Sequence, residues 1–166
     1  MAEETVWRGT SSQWKNLGTF MVWGIASLVL ICLSIFLSSA GGPGIGWIGP
    51  LLLVLLIVPI AAVLWGYLTI KTKVYELTTE RLKTTQGVLS KVTDTLELYR
   101  VKDIETRQPF FYRMAGVENV RLTTSDASSP SILIDAIPRT AGLADKLRNQ
   151  VEIIRQQKRV REIDIE

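Results

Sequence analysis

Histidine is absent from the 166-residue chain, and cysteine occurs only once, at Cys32. Without histidine the chain cannot supply a Ser-His-Asp or Cys-His nucleophile, a His-ligated zinc or a haem held by histidine. A single cysteine cannot form an internal disulfide or a thiolate metal cluster, and Cys32 lies in an apolar run, where it acts as a small hydrophobic residue. The aspartates lack the spacing of a calcium-binding loop. We therefore expect no metal, no cofactor and no enzymatic activity.

Charge is absent from residues 16–70, which contain no Lys, Arg, Asp or Glu. Two apolar runs fill most of this stretch, at about residues 17–38 and 47–70. As helices rising about 1.5 Å per residue, the runs reach roughly 30 Å or slightly more, the hydrocarbon thickness of a bilayer. The sequence thus predicts a transmembrane hairpin over residues 17–70, joined by a short uncharged turn. Tryptophans lie toward the ends of the runs, where their rings favour the headgroup region: Trp14, Trp23, Trp47 and Trp65.

Basic residues flank the two runs on their outer sides, and none lies in the turn between them: Arg8, Lys15, Lys71 and Lys73. Because basic residues near a span stay on the cytoplasmic side, we predict that both termini are cytoplasmic and that residues 1–16 form an N-terminal segment. The four side chains are candidates for binding anionic lipid headgroups; alternatively, they only fix the topology.

The first run is longer than the core of a typical signal peptide and a second run follows, which disfavours cleavage after Ala40.

A proline interrupts the second apolar run at Pro59. A proline inside a helix lacks the N–H that would bond the carbonyl four residues earlier, so it should free the carbonyl of Leu55 and bend the helix. This position is consistent with a tolerated kink or with a contact site. No ionisable residue lies inside either run, which argues against an ion pathway and favours anchors or packing surfaces. The candidate partner contacts in the hairpin are Trp47, Pro59 and Trp65.

Residues 71–166 carry charges every few positions and alternate polar with apolar residues, as half-buried strands do. The predicted fold class is therefore an α+β membrane protein, with the hairpin followed by an antiparallel β-domain, a small barrel or a sandwich. Six strands are predicted in this domain, at about residues 74–79, 81–86, 89–98, 99–107, 117–124 and 131–137.

A helix is predicted after the last strand, over about residues 140–160. Thr140 is placed to cap a helix that begins at Ala141. One face of this helix carries an apolar stripe that can cover an open end of the barrel: Leu143, Leu147, Val151 and Ile154. Its end carries a basic cluster, which either meets an acidic partner or membrane or complements the helix dipole: Arg155, Lys158, Arg159 and Arg161.

Three aromatic residues are adjacent at Phe110, Phe111 and Tyr112. Successive side chains of a strand point to opposite faces, so all three cannot enter a core from a strand. Either a loop folds all three inward, or at least one faces outward toward lipid or another protein. The three residues are therefore further candidates for partner contacts.

Several sequence features follow a known order: Tyr75-Glu-Leu-Thr-Thr-Glu-Arg-Leu82, Gly87, Leu98-Tyr-Arg-Val-Lys-Asp-Ile104 and Gln108-Pro-Phe-Phe-Tyr-Arg-Met-Ala-Gly-Val-Glu-Asn-Val120. With Trp7-Arg-Gly, the two spans and the strand before Pro138, they make the chain similar to the bacterial membrane-anchored pleckstrin-homology-like (PH-like) family. The resemblance implies a barrel of about seven strands closed by a C-terminal helix, with no catalytic residues. Pleckstrin-homology-like folds often bind phosphoinositides through a basic loop between their first two strands. With the strand at 74–79 as the first, that connection is the short Thr79-Glu80-Arg81, and no inositol-phosphate pocket is expected.

Two functions are consistent with these features. The first is a non-catalytic interaction module that acts as an accessory, assembly or structural subunit of a larger complex in the bacterial cytoplasmic membrane. Its expected partners are membrane lipids and other membrane protein subunits, with no nucleic acid and no small-molecule substrate. The family that the chain resembles includes proteins linked to the assembly of membrane complexes, photosynthetic complexes among them. The alternative is a module that binds anionic lipid or senses envelope stress.

Overall fold

The computed structural model of the chain describes residues 3–40, 42–126 and 129–158. They fall into two compact units. The helical unit is Asn16–Leu68, and the sheet unit combines Met1–Lys15 with Thr69–Glu166. The sheet unit is therefore built from both sides of the helical unit in the sequence.

Four helices, α1 to α4, follow a 3-10 turn at Gln13–Asn16. They are Leu17–Ala40, Gly42–Ile45, Ile48–Val54 and Ile57–Lys71, and all but the last three residues of α4 belong to the helical unit. Two stretches, Gln13–Ala40 and Ile48–Lys71, are long and apolar enough to cross a membrane. Their most apolar windows are only 6% and 11% buried, so most of their side chains point outward. This pattern differs from that of a core helix in a soluble protein, whose apolar residues are mostly covered.

The helix that contains Pro59 is interrupted one turn before the proline, whereas the bend predicted there stays a prediction. Regular helix stops at Val54 and resumes at Ile57, and the carbonyl of Leu55 accepts a hydrogen bond from the N–H of Val58, 3.0 Å away. The proline ring has no N–H to bond this carbonyl, so a tighter three-residue turn satisfies it instead.

Close packing holds α1 against α3. The hydroxyl of Ser34 donates a hydrogen bond of 2.7 Å to the carbonyl of Gly49. A Cβ atom at Gly49 would lie 2.0 Å from Oγ of Ser38 and 2.6 Å from the carbonyl oxygen of Ser34, so only glycine fits there. A small residue that lets two backbones approach is a common basis of helix association in membranes. A second bond, 2.7 Å long, joins Nδ2 of Asn16 to the carbonyl of Gly66.

The sheet unit contains seven strands: Thr5–Thr10 (β1), Val74–Thr78 (β2), Arg81–Gln86 (β3), Val92–Glu97 (β4), Val101–Arg107 (β5), Val117–Thr124 (β6) and Ser131–Pro138 (β7). Their hydrogen bonds form two antiparallel sheets, ordered β1-β2-β3-β4 and β5-β6-β7. The six predicted strands are confirmed, β3 and β6 with the predicted ends and the others with ends that differ. The predicted strand at 89–98 begins only at Val92, and Leu98 starts a 3-10 turn.

Strand β1 was not predicted. It pairs with β2 from Thr5–Thr78 to Thr10–Val74, across the whole helical unit in sequence. Its Val6 and Trp7 pack against the core. The N-terminal segment is therefore an edge strand of the larger sheet.

One hydrophobic core joins the two sheets and the last helix. It includes Tyr75 and Leu77 from β2, Val120 from β6 and Ile134 from β7, all with no exposed surface. Helix α6, Leu143–Lys158, contributes Leu143, Leu147 and Val151 of the predicted stripe to this core. The fourth residue of the stripe, Ile154, is also buried.

The predicted cap of this helix is wrong. Thr140 lies in a 3-10 turn, Arg139–Ala141, and Gly142 follows in the left-handed region at φ 55°. The carbonyl of Gly142 accepts the N–H of Lys146 at 3.1 Å, which makes Gly142 the residue before the first helical turn. A side chain is strained at this φ, so glycine replaces the polar cap that the sequence suggested.

Candidate functional site

A nearly buried carboxylate, Asp135 on β7, lies where the chain leaves and re-enters the sheet unit. Lys15, the last residue before the helical unit, forms an ion pair with it, and Nζ of Lys73 lies 3.9 Å from the same oxygen. The backbone N–H of Asp135 donates to the hydroxyl of Tyr75 at 3.3 Å. A buried carboxylate needs paired charge to offset its lost hydration, and two ammonium groups supply it here. We call Lys15, Lys73, Tyr75 and Asp135 the Asp135 cluster.

An irregularity in β7 positions Asp135. The next residue, Ala136, has φ 49°, in the left-handed region that non-glycine residues rarely adopt. Its N–H donates to Oδ1 of Asn119 at 2.8 Å, and its carbonyl accepts the N–H of Ser12 at 2.8 Å. Such a backbone costs on the order of 1–3 kcal/mol and persists where its surroundings determine it. The hydrogen bond from Ser12 ties the segment after β1 to β7 at this strained residue.

The four basic residues predicted to meet lipid headgroups have different environments. Lys15 and Lys73 converge on Asp135. Lys71 is the last residue of α4, and Arg8 is exposed on β1 opposite Glu76. The structure thus brings together two of the four, and lipid binding by any of them stays a prediction.

The three adjacent aromatics begin a single helical turn, α5, at Phe110–Met114. Phe110 and Phe111 are 70% and 62% exposed and touch edge to face, with ring centroids 5.5 Å apart. Met114 is 73% exposed. A helical turn directs successive side chains about 100° apart, so it can leave this apolar group on the surface without opening the core.

Tyr112, unlike Phe110 and Phe111, is half-buried. Burial raises the pKa of its hydroxyl, and the negative charge of Asp135 raises it further. At the start of α5, Gln108 donates to the carboxylate of Glu118 on β6, 3.0 Å away. Helix α5 is therefore anchored by its polar side and lies within electrostatic reach of the Asp135 cluster.

The predicted basic cluster on α6 is divided. Nη2 of Arg155 donates to the carbonyl of Val101 at 2.6 Å, and Nζ of Lys158 lies 4.5 Å from the ring centroid of Tyr99. These side chains fasten the end of α6 to the sheet unit. Arg159 and Arg161 lie outside the described residues.

The predicted partner contacts of the helical unit differ in exposure. Trp47 and Trp65 are 64% and 54% exposed, whereas Pro59 is buried. Pro59 lines an apolar wedge of about 650 Å³ between α1 and α4, together with Phe20, Trp23, Gly24 and Val63 among others. A Cβ at Gly24 would meet nothing within 4 Å, so the wedge is open on that side.

Comparison with known protein families shows to which family the chain belongs. The profile of the bacterial PH domain family matches residues 17–152, which is more than half of the sequence. The chain belongs to the bacterial PH domain family. No curated protein and no solved structure matches it.

The structure corrects one inference about this bacterial PH domain protein. The first two strands of the sheet are β1 and β2, not the pair joined at Thr79-Glu80-Arg81. The connection between these first strands contains the whole helical unit. Strand β1 precedes residue 17 and so lies outside the family match.

Metal ligands do not cluster in the described ranges 3–40, 42–126 and 129–158, where no group of three His, Cys, Asp or Glu side chains could hold an ion. The distinctive features of this bacterial PH domain protein are therefore surfaces and charge pairs. They are the Asp135 cluster, the exposed face of α5 and the wedge beside Pro59.

Proposed function

We propose that this bacterial PH domain protein is a non-catalytic, membrane-anchored interaction module. It acts as an accessory, assembly or structural subunit of a larger complex in the bacterial cytoplasmic membrane, with both termini in the cytoplasm. A photosynthetic complex is one setting in which such a subunit works. The observation that carries the proposal is the insertion of an apolar helical pair between two strands that pair with each other.

This insertion suits a protein that holds a position. Thr10 and Val74 are paired directly, so the sheet sets the spacing of the two chain segments that lead to the helices. The Asp135 cluster adds an ion pair on each of these segments. A flexible tether would need neither feature, whereas a subunit that presents a surface at a fixed place benefits from both.

The helical unit offers surface for partner helices as well as for lipid. Between lipid-exposed helices, association depends on close packing rather than on the hydrophobic effect, and small residues permit it. The wedge beside Pro59 has an open small residue at Gly24, where a side chain from another subunit fits.

Gentle extraction of the tagged full chain from its native membrane tests this function. We expect defined protein subunits to co-purify at constant ratio. Filling the wedge with Gly24→Leu should reduce their recovery, while Gly18→Leu should not, since an added Cβ is unhindered at Gly18 as well and Gly18 does not line the wedge. Recovery of the chain alone, or equal recovery with both variants, contradicts the proposal.

A second candidate, a sensor of anionic lipid, is favoured by the exposed basic residues Arg113 and Arg139 beside the apolar face of α5. Residues 74–166 alone lack strand β1, so a binding test needs the full chain. Salt-sensitive enrichment of anionic lipid around the purified protein supports the sensor. Unchanged lipid composition at all salt concentrations argues against it.

We also propose that the two sheets form the two halves of the barrel that the family resemblance implies. The shared core supports this proposal, because Leu82 and Leu96 of one sheet belong to the same hydrophobic cluster as Leu122 and Ile134 of the other. Helix α6 covers the same cluster with its apolar stripe.

A further inference from the structure

Large apolar side chains are exposed in two separate connections of the sheet unit. One is α5, between β5 and β6, with Phe110, Phe111 and Met114. The other is the link between β3 and β4, where Leu89 is 88% exposed. Gly87 forms this link at φ 123°, and a Cβ there would lie 1.8 Å from the carbonyl oxygen of Ser90. The link is therefore a tight turn that requires glycine at position 87.

The strand register places the Leu89 turn at one particular end of the larger sheet. Thr10 pairs with Val74, Val74 with Thr85, and Gln86 with Val92. The end of β1, the start of β2, the end of β3 and the start of β4 are therefore neighbours. At this end the chain leaves toward the helical unit and returns from it. We call it the proximal end of the sheet unit.

Helix α5 lies at the proximal end as well. It follows β5 at Arg107 and precedes β6 at Val117, whose partner in the register is Pro138, the last residue of β7. Just before Pro138, the carbonyl of Ala136 accepts a hydrogen bond from the N–H of Ser12, the second residue after β1. The field of Asp135 also reaches Tyr112 on α5.

Exposed basic residues accompany these apolar groups. Lys91 lies in the Leu89 turn, and Arg113 lies on α5. Arg139 is exposed where its N–H donates to the carbonyl of Gly116, just after α5, at 2.9 Å. Three acidic side chains nearby are engaged: Asp135 with lysines, Glu118 with Gln108, and Glu105 with Arg107. Aromatic and apolar side chains beside basic ones suit the headgroup layer of an anionic bilayer.

We infer that the proximal end of the sheet unit docks on the bilayer that holds the helices, with four apolar side chains in the headgroup layer: Leu89, Phe110, Phe111 and Met114. Lys91, Arg113 and Arg139 bind the anionic groups of the lipids. The inference rests on the proposed membrane anchoring but not on the proposed partner complex. Because the chain enters and leaves the sheet unit at this end, the covalent connection already brings it to the membrane surface.

A fluorescence experiment on the full chain tests this docking. Single cysteines replace Leu89, Met114 or Gln157 in a Cys32→Ser background and carry an environment-sensitive dye. Gln157 is the matched control, since it is exposed and lines a cavity with Thr79 and Glu80, in the turn at the opposite end of β2. Each protein is reconstituted into vesicles of phosphatidylcholine with phosphatidylglycerol, and resistance to alkaline extraction checks anchoring separately.

Docking predicts that the dyes at positions 89 and 114 are quenched several-fold more strongly by spin-labelled lipid than the dye at 157. Aqueous iodide should quench them less. With the double variant Phe110→Ser and Phe111→Ser, the dye at position 114 should be quenched less by spin-labelled lipid and more by iodide. The double variant Arg113→Gln and Arg139→Gln should reduce the quenching by spin-labelled lipid at positions 89 and 114 in anionic vesicles, but not in pure phosphatidylcholine.

Two results overturn the inference. One is equal iodide quenching at all three positions in a chain that resists alkaline extraction. The other result combines two observations at positions 89 and 114. In native membranes both quenchers fail to reach the dyes, whereas in pure lipid vesicles iodide reaches them. Such a result would mean that a protein, not lipid, covers this face. Loss of anchoring itself appears in the alkaline extraction, and lack of a partner complex leaves the quenching unaffected, so the failures are distinguishable.

Discussion

At the scale of single residues, Asp135 is the group with the most consequences. We predict that Asp135→Asn lowers the free energy of unfolding by about 1–3 kcal/mol, since two lysines lose the carboxylate that they share. Pulse proteolysis of the full chain in mild detergent over a denaturant series measures this loss. Asp94→Asn, at an exposed position of β4, is the control and should change little. An equal effect of both variants would show that the Asp135 cluster contributes no special stability.

Tyr112 gives the sheet unit a dependence on alkaline pH. Its folded-state pKa lies above the ordinary value of 10.0 because of burial and of Asp135. Above pH 10 the unfolded chain loses this proton first, so the folded state binds more protons and its stability falls as pH rises toward the folded pKa. We predict that Tyr112→Phe makes the decline above pH 10 less steep in unfolding experiments. The same slope in both proteins would contradict this.

These residue-scale features could not be predicted from the sequence. Lys15 and Asp135 are 120 positions apart, and no local pattern relates them. The strained φ of Ala136 depends on Asn119 and Ser12, which are also distant. The basic residues near the apolar runs were identified as a group, but only the folded chain shows that Lys15 and Lys73 share one carboxylate.

At the scale of elements, packing of α1 on α3 depends on Gly49. We predict that Gly49→Ala destabilises the helical unit by about 1–3 kcal/mol, because its Cβ would overlap Ser38 and the backbone of Ser34. Gly24→Ala adds the same atom where nothing lies within 4 Å, and it is the control. Thermal unfolding in detergent, followed by circular dichroism of the helices, measures both. Equal midpoints would mean that the contact is not required.

Local pattern predicted most elements and missed those that tertiary context determines. The alternation of apolar residues gave β6 at 117–124 without error. Strand β1 contains Gly9 and pairs with a strand beyond the helical unit, so it had no nearby partner to indicate it. Three adjacent aromatics fit neither a buried strand nor a long helix, and the single turn α5 resolves them.

At the scale of the whole molecule, the proposed topology follows from where charge is absent. The basic residues lie outside the two apolar stretches, and the turn between the stretches is uncharged. Because basic residues near a span resist translocation, both termini should stay in the cytoplasm. The pairing of β1 with β2 adds a structural requirement, because the segments on either side of the helical unit must meet on one side of the membrane to form the sheet.

We therefore predict the accessibility of single cysteines in a Cys32→Ser background. A membrane-impermeant maleimide added to cells with a permeabilised outer membrane should modify Gly44→Cys in the short helix α2, between the two apolar stretches. Glu4→Cys and Gln157→Cys, both exposed in the sheet unit, should react only after the cytoplasmic membrane is opened. Reaction of both Glu4→Cys and Gln157→Cys before the cytoplasmic membrane is opened would contradict the predicted topology. Reaction of only one of them would be incompatible with the pairing of β1 and β2 in one sheet.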